Sequence, residues 1–294
     1  MKALKLFIAA TFTFFATGVD AQRHEVGVQA GMANLVGDIG RTNFILQKPF
    51  GNVSKFGLPV YLGIMYKMNF NPYQGLRFNA GYSNIQFRDL NANELYRRNR
   101  GREGTNSVYN VDAQFEYNFF PVNEEQKEMW SPYIFGGIGA IVHSTKRATL
   151  DFAGRLYENE NGDLEVPVYP VQYPDPITEL GNAISLSVPF GAGLKYKFNY
   201  NWALFGEFKF RYTFTDAIDY SRIDDRNVKI IGKVANLTDY SERRLKGSEQ
   251  ESLRKPFIAA SQVGNGNSND WVNSVTVGVS YSFGRPPCYC ENRR

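Results

Sequence analysis

Residues 271–283 read WVNSVTVGVSYSF, and from Val275 onward apolar and polar side chains alternate without a break. Successive side chains of a β-strand point to opposite faces, so a period of two predicts a strand that lies between two different environments. Valine, tyrosine and phenylalanine occupy one face of this strand, and serine, threonine and glycine occupy the other. The segment therefore predicts a strand with one apolar and one polar face.

The same alternation recurs along the chain upstream of this strand. Each segment is close to the roughly 9 to 11 residues that a tilted strand needs to cross a bilayer. The segment 132–143 is rich in glycine and ambiguous, whereas 108–119, 184–198 and 202–215 are clear. With the last strand they make eight, and the seven upstream segments are 25–35, 58–70, 76–87, 108–119, 132–143, 184–198 and 202–215.

The connections between these segments are alternately short and long. Short connections span 71–75, 120–131 and 199–201, and long polar ones span 36–57, 88–107, 144–183 and 216–270. Outer-membrane barrels combine short periplasmic turns with long extracellular loops. A soluble β-sandwich also alternates, but most of its outer face should be polar. The sequence thus predicts an all-β fold, an eight-stranded antiparallel transmembrane β-barrel over residues 22–284, with long extracellular loops and short periplasmic turns.

Aromatic residues gather near the short connections. Such residues form a belt at the membrane surface in transmembrane barrels. The predicted periplasmic girdle is Phe70, Tyr73, Phe119, Phe120, Trp130, Tyr133, Phe198, Tyr200, Trp202, Tyr281 and Phe283.

The N-terminus has the pattern of a secretory signal peptide. Lys2 and Lys5 precede an apolar run over 6–16, and small residues end the segment at Ala21. We therefore expect residues 1–21 to be a signal peptide and the mature protein to lie in the cell outer membrane, in contact with its lipids. The formal net charge of +4 over 294 residues gives no reason to expect nucleic acid as a partner.

An eight-stranded barrel has just enough room for its own inward side chains. The residues predicted to face inward carry both signs of charge, so we expect them to pair with one another and to fill the lumen without leaving an open channel. The predicted lumen charges are Glu25, Lys67, Arg77, Asp112, Glu116, Lys195, Lys197, Glu207, Lys209 and Arg211.

Catalytic and metal-binding patterns are weak in this sequence. The chain has two histidines, His24 and His143, and only His143-Ser144 could form a hydrolase-like pair. No oriented third member accompanies that pair. We expect no catalytic site, no metal, no cofactor, no small-molecule substrate and no enzymatic activity, and keep an outer-membrane lipid-modifying enzyme as an alternative.

The last residues, 285–294, follow the final strand as a predicted periplasmic tail. Two prolines stop strand pairing, and the two cysteines after them meet an oxidising compartment. The cysteines could bridge to each other or to a partner. Together with an acidic turn on the same side, the tail is a candidate docking surface whose residues are Arg285, Cys288, Cys290, Arg293, Arg294, Glu124, Glu125 and Glu128.

Four segments carry a resemblance to a known family. They read NLVGDIG at 34–40, SPYIFGG at 131–137, RYTFTD at 211–216 with Asp219 beyond it, and NDW at 269–271. In this order they resemble the PorG family, the outer-membrane barrel component of the type IX secretion system of Bacteroidota. The resemblance spans nearly the whole mature chain, although Ala217 and Tyr220 depart from the family pattern.

The resemblance implies a subunit that anchors a periplasmic ring, made of a lipoprotein and its partner protein, to the outer membrane. Such a subunit would be needed for export of cargo with a C-terminal sorting domain, including adhesins of gliding motility. The residues alone leave a second possibility open, an OmpA- or OmpX-like surface barrel that serves envelope integrity or adhesion.

Overall fold

The computed structural model describes residues 23–41, 53–122, 128–152, 156–158, 164–165, 174–236, 242–266 and 268–284. Strands dominate these ranges. They are β1 (Arg23–Val36), β2 (Val60–Asn69), β3 (Gln74–Arg88), β4 (Glu103–Asn118), β5 (Met129–Asp151), β6 (Leu156–Glu158), β7 (Leu164–Glu165), β8 (Ile177–Lys197), β9 (Trp202–Thr213), β10 (Val228–Ile231), β11 (Lys233–Asn236), β12 (Glu242–Arg244) and β13 (Trp271–Phe283). The α-helices of the same ranges are α1 (Val53–Phe56), α2 (Leu95–Arg100) and α3 (Gly247–Ser261), and two short 3₁₀ helices span Asp89–Asn91 and Asp225–Asn227.

Eight of these strands close into a ring. Its order is β1-β2-β3-β4-β5-β8-β9-β13, and β13 pairs with β1 from Val36 opposite Trp271 to His24 opposite Phe283. Every neighbouring pair in the ring is antiparallel. A closed ring leaves no unpaired edge within the membrane, which is the condition for a sheet to span it. The predicted eight-stranded barrel is confirmed.

The outward face of the barrel is apolar and open. Val277, Ile138 and Val111 are 70%, 72% and 65% exposed, whereas their inward neighbours Thr276 and Asp112 are 1% and 2% exposed. A soluble sandwich would bury such side chains or replace them with polar ones, but a transmembrane barrel turns them toward lipid. The protein is therefore placed in the outer membrane, as the sequence predicts. None of the helices in the described ranges is long and apolar enough to cross a membrane.

Asparagine side chains build two of the short periplasmic turns. Asn71 Oδ1 accepts hydrogen bonds from the backbone N–H groups of Tyr73 and Gln74, at 2.9 and 2.8 Å. Asn199 Oδ1 accepts one from Tyr200 N at 2.6 Å. Asparagine stabilises turns in this way because its side chain imitates a backbone carbonyl.

One predicted member of the periplasmic girdle is wrong. Tyr133 faces the lumen and is 1% exposed, whereas Trp130 and Phe120 of the same girdle are exposed and pack edge to face with ring centroids 5.6 Å apart. The glycines at 136, 137 and 139 hide the alternation of β5, so the sequence could not show which face Tyr133 belongs to.

Two strands rise well beyond the membrane on the outer side. β5 and β8 have 23 and 21 residues, about twice the membrane-crossing length. The predicted loop 144–183 is therefore too long, because the strands continue to Asp151 and resume at Ile177. Above the rim β10 pairs with β5 in parallel, and β12-β11-β6-β7 form a second sheet.

The structure above the rim, which we call the outer domain, consists of the outer end of β5, strands β6, β7, β10, β11 and β12, and helix α3. It has its own apolar core. Leu253 and Phe257 of α3 pack with Ala148 and Leu150 of β5 and with Val234 of β11. Above the membrane, residues of the long loops cover the outward face of β5. The two faces of the strand therefore no longer differ in polarity, and the alternation of apolar and polar residues ends there.

The outer half of the lumen is closed by an apolar plug. Inward residues from the strands meet residues of the long loops, and all are buried: Ala33, Leu35, Ile39, Tyr61, Ile85, Phe87, Val108, Ile141, Ile218, Val263 and Val272. The interior is therefore filled by apolar side chains as well as by charged ones.

Candidate functional site

An ion-pair network fills the periplasmic half of the barrel. Lys67 Nζ lies 2.7 Å from Glu116 Oε1 and 3.1 Å from Glu25 Oε2. Lys195 Nζ lies 2.9 Å from Glu25 and 3.5 Å from Glu116. Two lysines and two glutamates, brought in by β1, β2, β4 and β8, therefore neutralise one another across the lumen.

Arg77 extends the network toward the middle of the membrane. Its guanidinium pairs with Glu207 and Glu116 and stacks on the ring of Phe135 at 4.5 Å. Tyr133 donates its hydroxyl proton to Glu207 Oε1 at 2.7 Å, and Lys209 Nζ lies 3.7 Å from the other oxygen of that carboxylate. Pairing with opposite charges offsets the cost of burying these groups.

A third pair lies closer to the plug. Arg211 binds both carboxylate oxygens of Asp112 and donates to Ser187 Oγ at 3.1 Å. The structure places all ten predicted lumen charges inside the barrel, each at most 3% exposed. Together with the plug, this packing leaves the interior filled with side chains.

The histidine singled out by the sequence is also buried. His143 Nε2 lies 3.2 Å from Ser185 Oγ, and Nδ1 lies 3.2 Å from the backbone oxygen of Ser144. The imidazole therefore meets a different serine from the predicted one, and a carbonyl occupies the position at which a hydrolase would hold a carboxylate.

Most of the predicted docking residues lie outside the described residues. These are Arg285, Cys288, Cys290, Arg293, Arg294, Glu124 and Glu125. Glu128 is described: it is exposed in the periplasmic turn before β5 and has a positive φ of 62°.

Sequence reasoning missed an acidic corner at the outer end of the barrel, which we define as Asp38, Asp216, Asp219 and Asp270. The four side chains are 8%, 4%, 0% and 0% exposed. They come from the loop after β1, the segment after β9 and the residue before β13. The segments 34–40, 211–216 and 269–271 contain three of them, so the resemblance was the one available signal.

Backbone N–H groups hold two of these carboxylates. Asp219 accepts hydrogen bonds from Ile39 N and Ser221 N, both at 2.8 Å, and Asp270 Oδ2 accepts one from Ile218 N at 2.9 Å. The two carboxylates thereby fasten the first and last long loops to each other and to the barrel rim.

Glycine at position 37 makes this packing possible. A Cβ atom there would fall 2.4 Å from Asp270 Oδ1 and 2.8 Å from Asp219 Oδ2. Any other residue would collide with both carboxylates, so the corner requires glycine at this point.

The arginines near the acidic corner bind groups other than its four carboxyls. Arg97 donates to the carbonyls of Gly37 and Gly40, both at 3.1 Å, and Arg100 binds both oxygens of Asp89. Arg222 donates to the carbonyl of Gly266 at 3.1 Å. The four carboxyls consequently face one another without a cation bound directly among them in the described part of the chain.

This crowding changes how the carboxyls titrate. Burial, followed by the neighbouring Asp219 and Asp38, raises the pKa of Asp216 to about 7. Burial and the carboxyls of Asp219 and Asp216 raise the pKa of Asp270 well above its ordinary value. Burial also raises the pKa values of Asp219 and Asp38.

The stability of the acidic corner should therefore decrease as pH rises. In the unfolded chain an aspartate ionises near pH 3.9, about three units below the folded value for Asp216, so the folded corner holds more protons between these values. The stabilisation is complete below about pH 4 and is lost as pH rises through about 7. Amide hydrogen exchange of Ile218 and Ile39, corrected for intrinsic rates, should be slower at about pH 5 than at about pH 8.

The Asp216→Asn variant is the control for this pH dependence. In this variant the exchange rates at the two pH values should differ less than in wild type. A smaller difference should remain, because Asp270 and Asp219 still titrate. An identical pH dependence in wild type and variant would contradict the assignment to Asp216.

Within the ranges that the structure describes, no group of three or more His, Cys, Asp or Glu side chains is arranged to hold a metal ion. The carboxyls are instead arranged to accept protons and N–H donors.

Several solved outer-membrane proteins resemble the fold at low identity. Ail, the attachment invasion locus protein of Yersinia pestis, in complex with the heparin analogue sucrose octasulfate, aligns with a TM-score of 0.38 and 11% identity over 90% of this chain and 99% of that chain. Neisserial surface protein A (NspA) gives 0.36 and 10% over 89% and 97%. A major outer membrane protein from Thermus thermophilus gives 0.36 and 14% over 90% and 100%. Likenesses at this level carry no conclusion about activity.

No curated protein sequence matches the chain. A family model described as Domain of unknown function (DUF6089) matches residues 4–169. Because this match covers more than half of the 294 residues, the chain belongs to the DUF6089 family.

Proposed function

We propose that this outer-membrane barrel is a subunit of the type IX secretion machinery, which anchors the periplasmic ring complex to the outer membrane and is needed for export of sorting-domain cargo. The observation that carries the proposal is the meeting of three segments that resemble the PorG family. Residues 34–40, 211–216 and 269–271 are far apart in the sequence and contribute to one acidic corner. Because the three short motifs contact one another in the fold, one structural requirement can explain all three. This supports the family resemblance over a chance similarity.

The filled interior supports a role in binding. Ion pairs occupy the periplasmic half of the lumen and the apolar plug occupies the outer half. A barrel of this kind acts through the parts that it exposes at its two ends. Absence of enzymatic activity remains part of the proposal, and the contacts of His143 give no support to the alternative of a lipid-modifying enzyme.

On the periplasmic side we propose that the tail 285–294 and the turn with Glu128 bind the ring lipoprotein and its partner. Removing all residues after Gly284 should leave an inserted barrel, because β13 ends at Phe283 and already pairs with β1 and β9. The truncated protein should lose co-purification of the ring proteins from detergent extracts. A matched control that keeps the tail and replaces Cys288 and Cys290 with serine distinguishes a covalent link from a charged surface.

The outcomes of this experiment separate the two parts of the proposal. If the truncated protein retains the ring proteins at the wild-type level, the docking surface lies elsewhere on the barrel. If the full-length protein does not co-purify with them, the proposed function itself is contradicted.

The outer domain favours a second candidate function, an OmpA- or OmpX-like surface barrel. The cluster around Leu150, Val234 and Phe257 gives the outer loops a folded core, which a surface adhesin could use to present a binding face. Loss of the gene would then weaken adhesion or the envelope while secretion of sorting-domain cargo continued.

A further inference from the structure

A groove of about 770 Å³ runs beside β8 just above the barrel rim. One wall is the strand from Asn182 to Leu186, and the opposite wall is formed by the segments around Asp216, Arg222 and Asn269. The groove is separate from the lumen, and neither the ion-pair network nor the periplasmic tail contributes to it.

The strand wall of this groove presents an unpaired backbone edge. β8 pairs with β9 only from Ser187 to Lys197, although it continues to pair with β5 as far as Ile177. Among the described residues, the stretch 177–186 therefore has a strand on one side only. An unpaired edge of this length is a template for another strand.

Backbone direction shows which residues offer their hydrogen-bonding groups to the groove. Leu186 O accepts the last bond from Phe214 N at 3.0 Å, so even-numbered residues of β8 point N–H and C=O away from β5. The odd-numbered residue Pro189 is consistent with this direction. Its backbone nitrogen faces β5 but carries no hydrogen, and the pairing of Pro189 with Gly137 of β5 is missing. Ile184 and Asn182 thus offer both groups to an incoming strand.

Apolar side chains border the same edge. Ile184, Leu186 and Leu180 are 76%, 67% and 67% exposed on the outward face of β8, above the level where β9 ends. A strand added to the edge would place alternate side chains beside them, which is how added strands gain affinity and specificity.

One unpaired carboxyl in the groove, that of Asp216, identifies the side chain that such a strand should carry. Asp216 lines the groove and is 4% exposed, and both its carboxylate oxygens have no hydrogen-bond partner in the structure. Asp224, Arg222 and Arg226 also line the groove, so two acidic and two basic side chains face it, and Arg222 donates to the carbonyl of Gly266. A buried carboxylate without a donor is costly, and the hydroxyl of Ser221 donates to the backbone oxygen of Asp216, so the Asp216 carboxyl itself is the point in the groove that is complementary to a cation.

We propose that this groove binds an extended segment of a partner protein, which pairs with β8 as an added strand and places a lysine or arginine side chain on Asp216. The inference concerns the outer face and is independent of the role of the periplasmic tail.

The test uses full-length protein in detergent micelles and two synthetic peptides with blocked ends, Thr-Val-Lys-Val-Thr-Val and the same sequence with glutamate in place of lysine. Fluorescence anisotropy of labelled peptide should show that the lysine peptide binds at least about tenfold more tightly than the glutamate peptide. Asp216→Asn should weaken binding of the lysine peptide by about tenfold, because a charge-assisted hydrogen bond is lost. Asp225→Asn, an exposed carboxylate outside the groove, should leave binding unchanged.

Asn182→Pro tests the backbone contact separately. Proline removes the N–H that faces the groove and is tolerated at a free edge, while the bonds to β5 come from the odd-numbered neighbours. The variant should abolish binding, and Asn182→Thr should retain it. The shift between heated and unheated protein on a gel confirms that each variant is folded.

Three results with the peptides would overturn the proposal. They are equal affinity for the two peptides, no measurable binding of the lysine peptide to wild-type protein, and binding that survives Asn182→Pro. A dimer of the purified protein that Asn182→Pro dissociates would assign the edge to a second copy of this chain and would also contradict the proposal.

Discussion

Replacing Arg211 with alanine should destabilise the barrel by about 3–5 kcal/mol, the usual result of leaving one member of a buried ion pair without its partner. Arg211 and Asp112 are 3% and 2% exposed, and the guanidinium binds both carboxylate oxygens. After the substitution Asp112 would keep only the amide of Asn110, which donates at 2.8 Å.

Urea unfolding in lipid vesicles, followed by tryptophan fluorescence, measures this loss as a lower midpoint. The double variant Arg211→Met with Asp112→Asn should recover much of the stability, because it removes both charges. Lys55→Ala is the matched exposed control: Lys55 lies 2.7 Å from Glu103 with 60% of its side chain exposed, so its loss should cost less than about 1 kcal/mol. Equal midpoints for Arg211→Ala and Lys55→Ala would show that the lumen pair is solvated.

Gly137→Ala should prevent efficient closure of the barrel wall. A Cβ atom at this inward position would lie 2.0 Å from the backbone oxygen of Ala113 and 2.7 Å from Gln114 Cα, and backbone atoms of a paired strand cannot move aside. Overpacking of this kind costs about 1–3 kcal/mol or more. The neighbouring Gly136→Ala is the control, because its Cβ would point outward and meet nothing nearer than Phe190 Cβ at 3.9 Å.

The fraction of protein whose gel mobility changes on heating reports closure of both glycine variants. We expect a large decrease for Gly137→Ala and none for Gly136→Ala. If both variants fold to the same extent, the wall at β4 and β5 is looser than the structure indicates.

The alternation of side chains was sufficient to predict the eight membrane strands and the charges inside them. Val277 and Thr276 show why: lipid and lumen are different environments, so neighbouring residues differ in chemistry. Pairing within the lumen could not be predicted in the same way. Arg77 meets Glu207 because β3 and β9 face each other across the barrel. A single sequence does not show which inward side chains lie opposite each other across the lumen.

The structure on the outer side of the membrane could not be predicted for a different reason. Above the membrane Ala148 and Leu150 are covered by α3 and its neighbours, so both faces of β5 become protein interior or solvent and the two-residue period ends. The acidic corner depends on loops that meet only in three dimensions, such as Ile39 and Asp219, which are 180 residues apart. Composition and spacing do not encode such contacts, and only the family resemblance connected these segments.

Secretion of sorting-domain cargo by a strain that lacks this gene tests the proposed function most directly. We expect the cargo to disappear from the medium and to accumulate in the cells, the wild-type gene to restore its secretion, and leakage of a periplasmic marker enzyme to stay unchanged. Normal secretion of the cargo in the deletion strain would contradict the proposed role in type IX secretion and would favour the surface barrel.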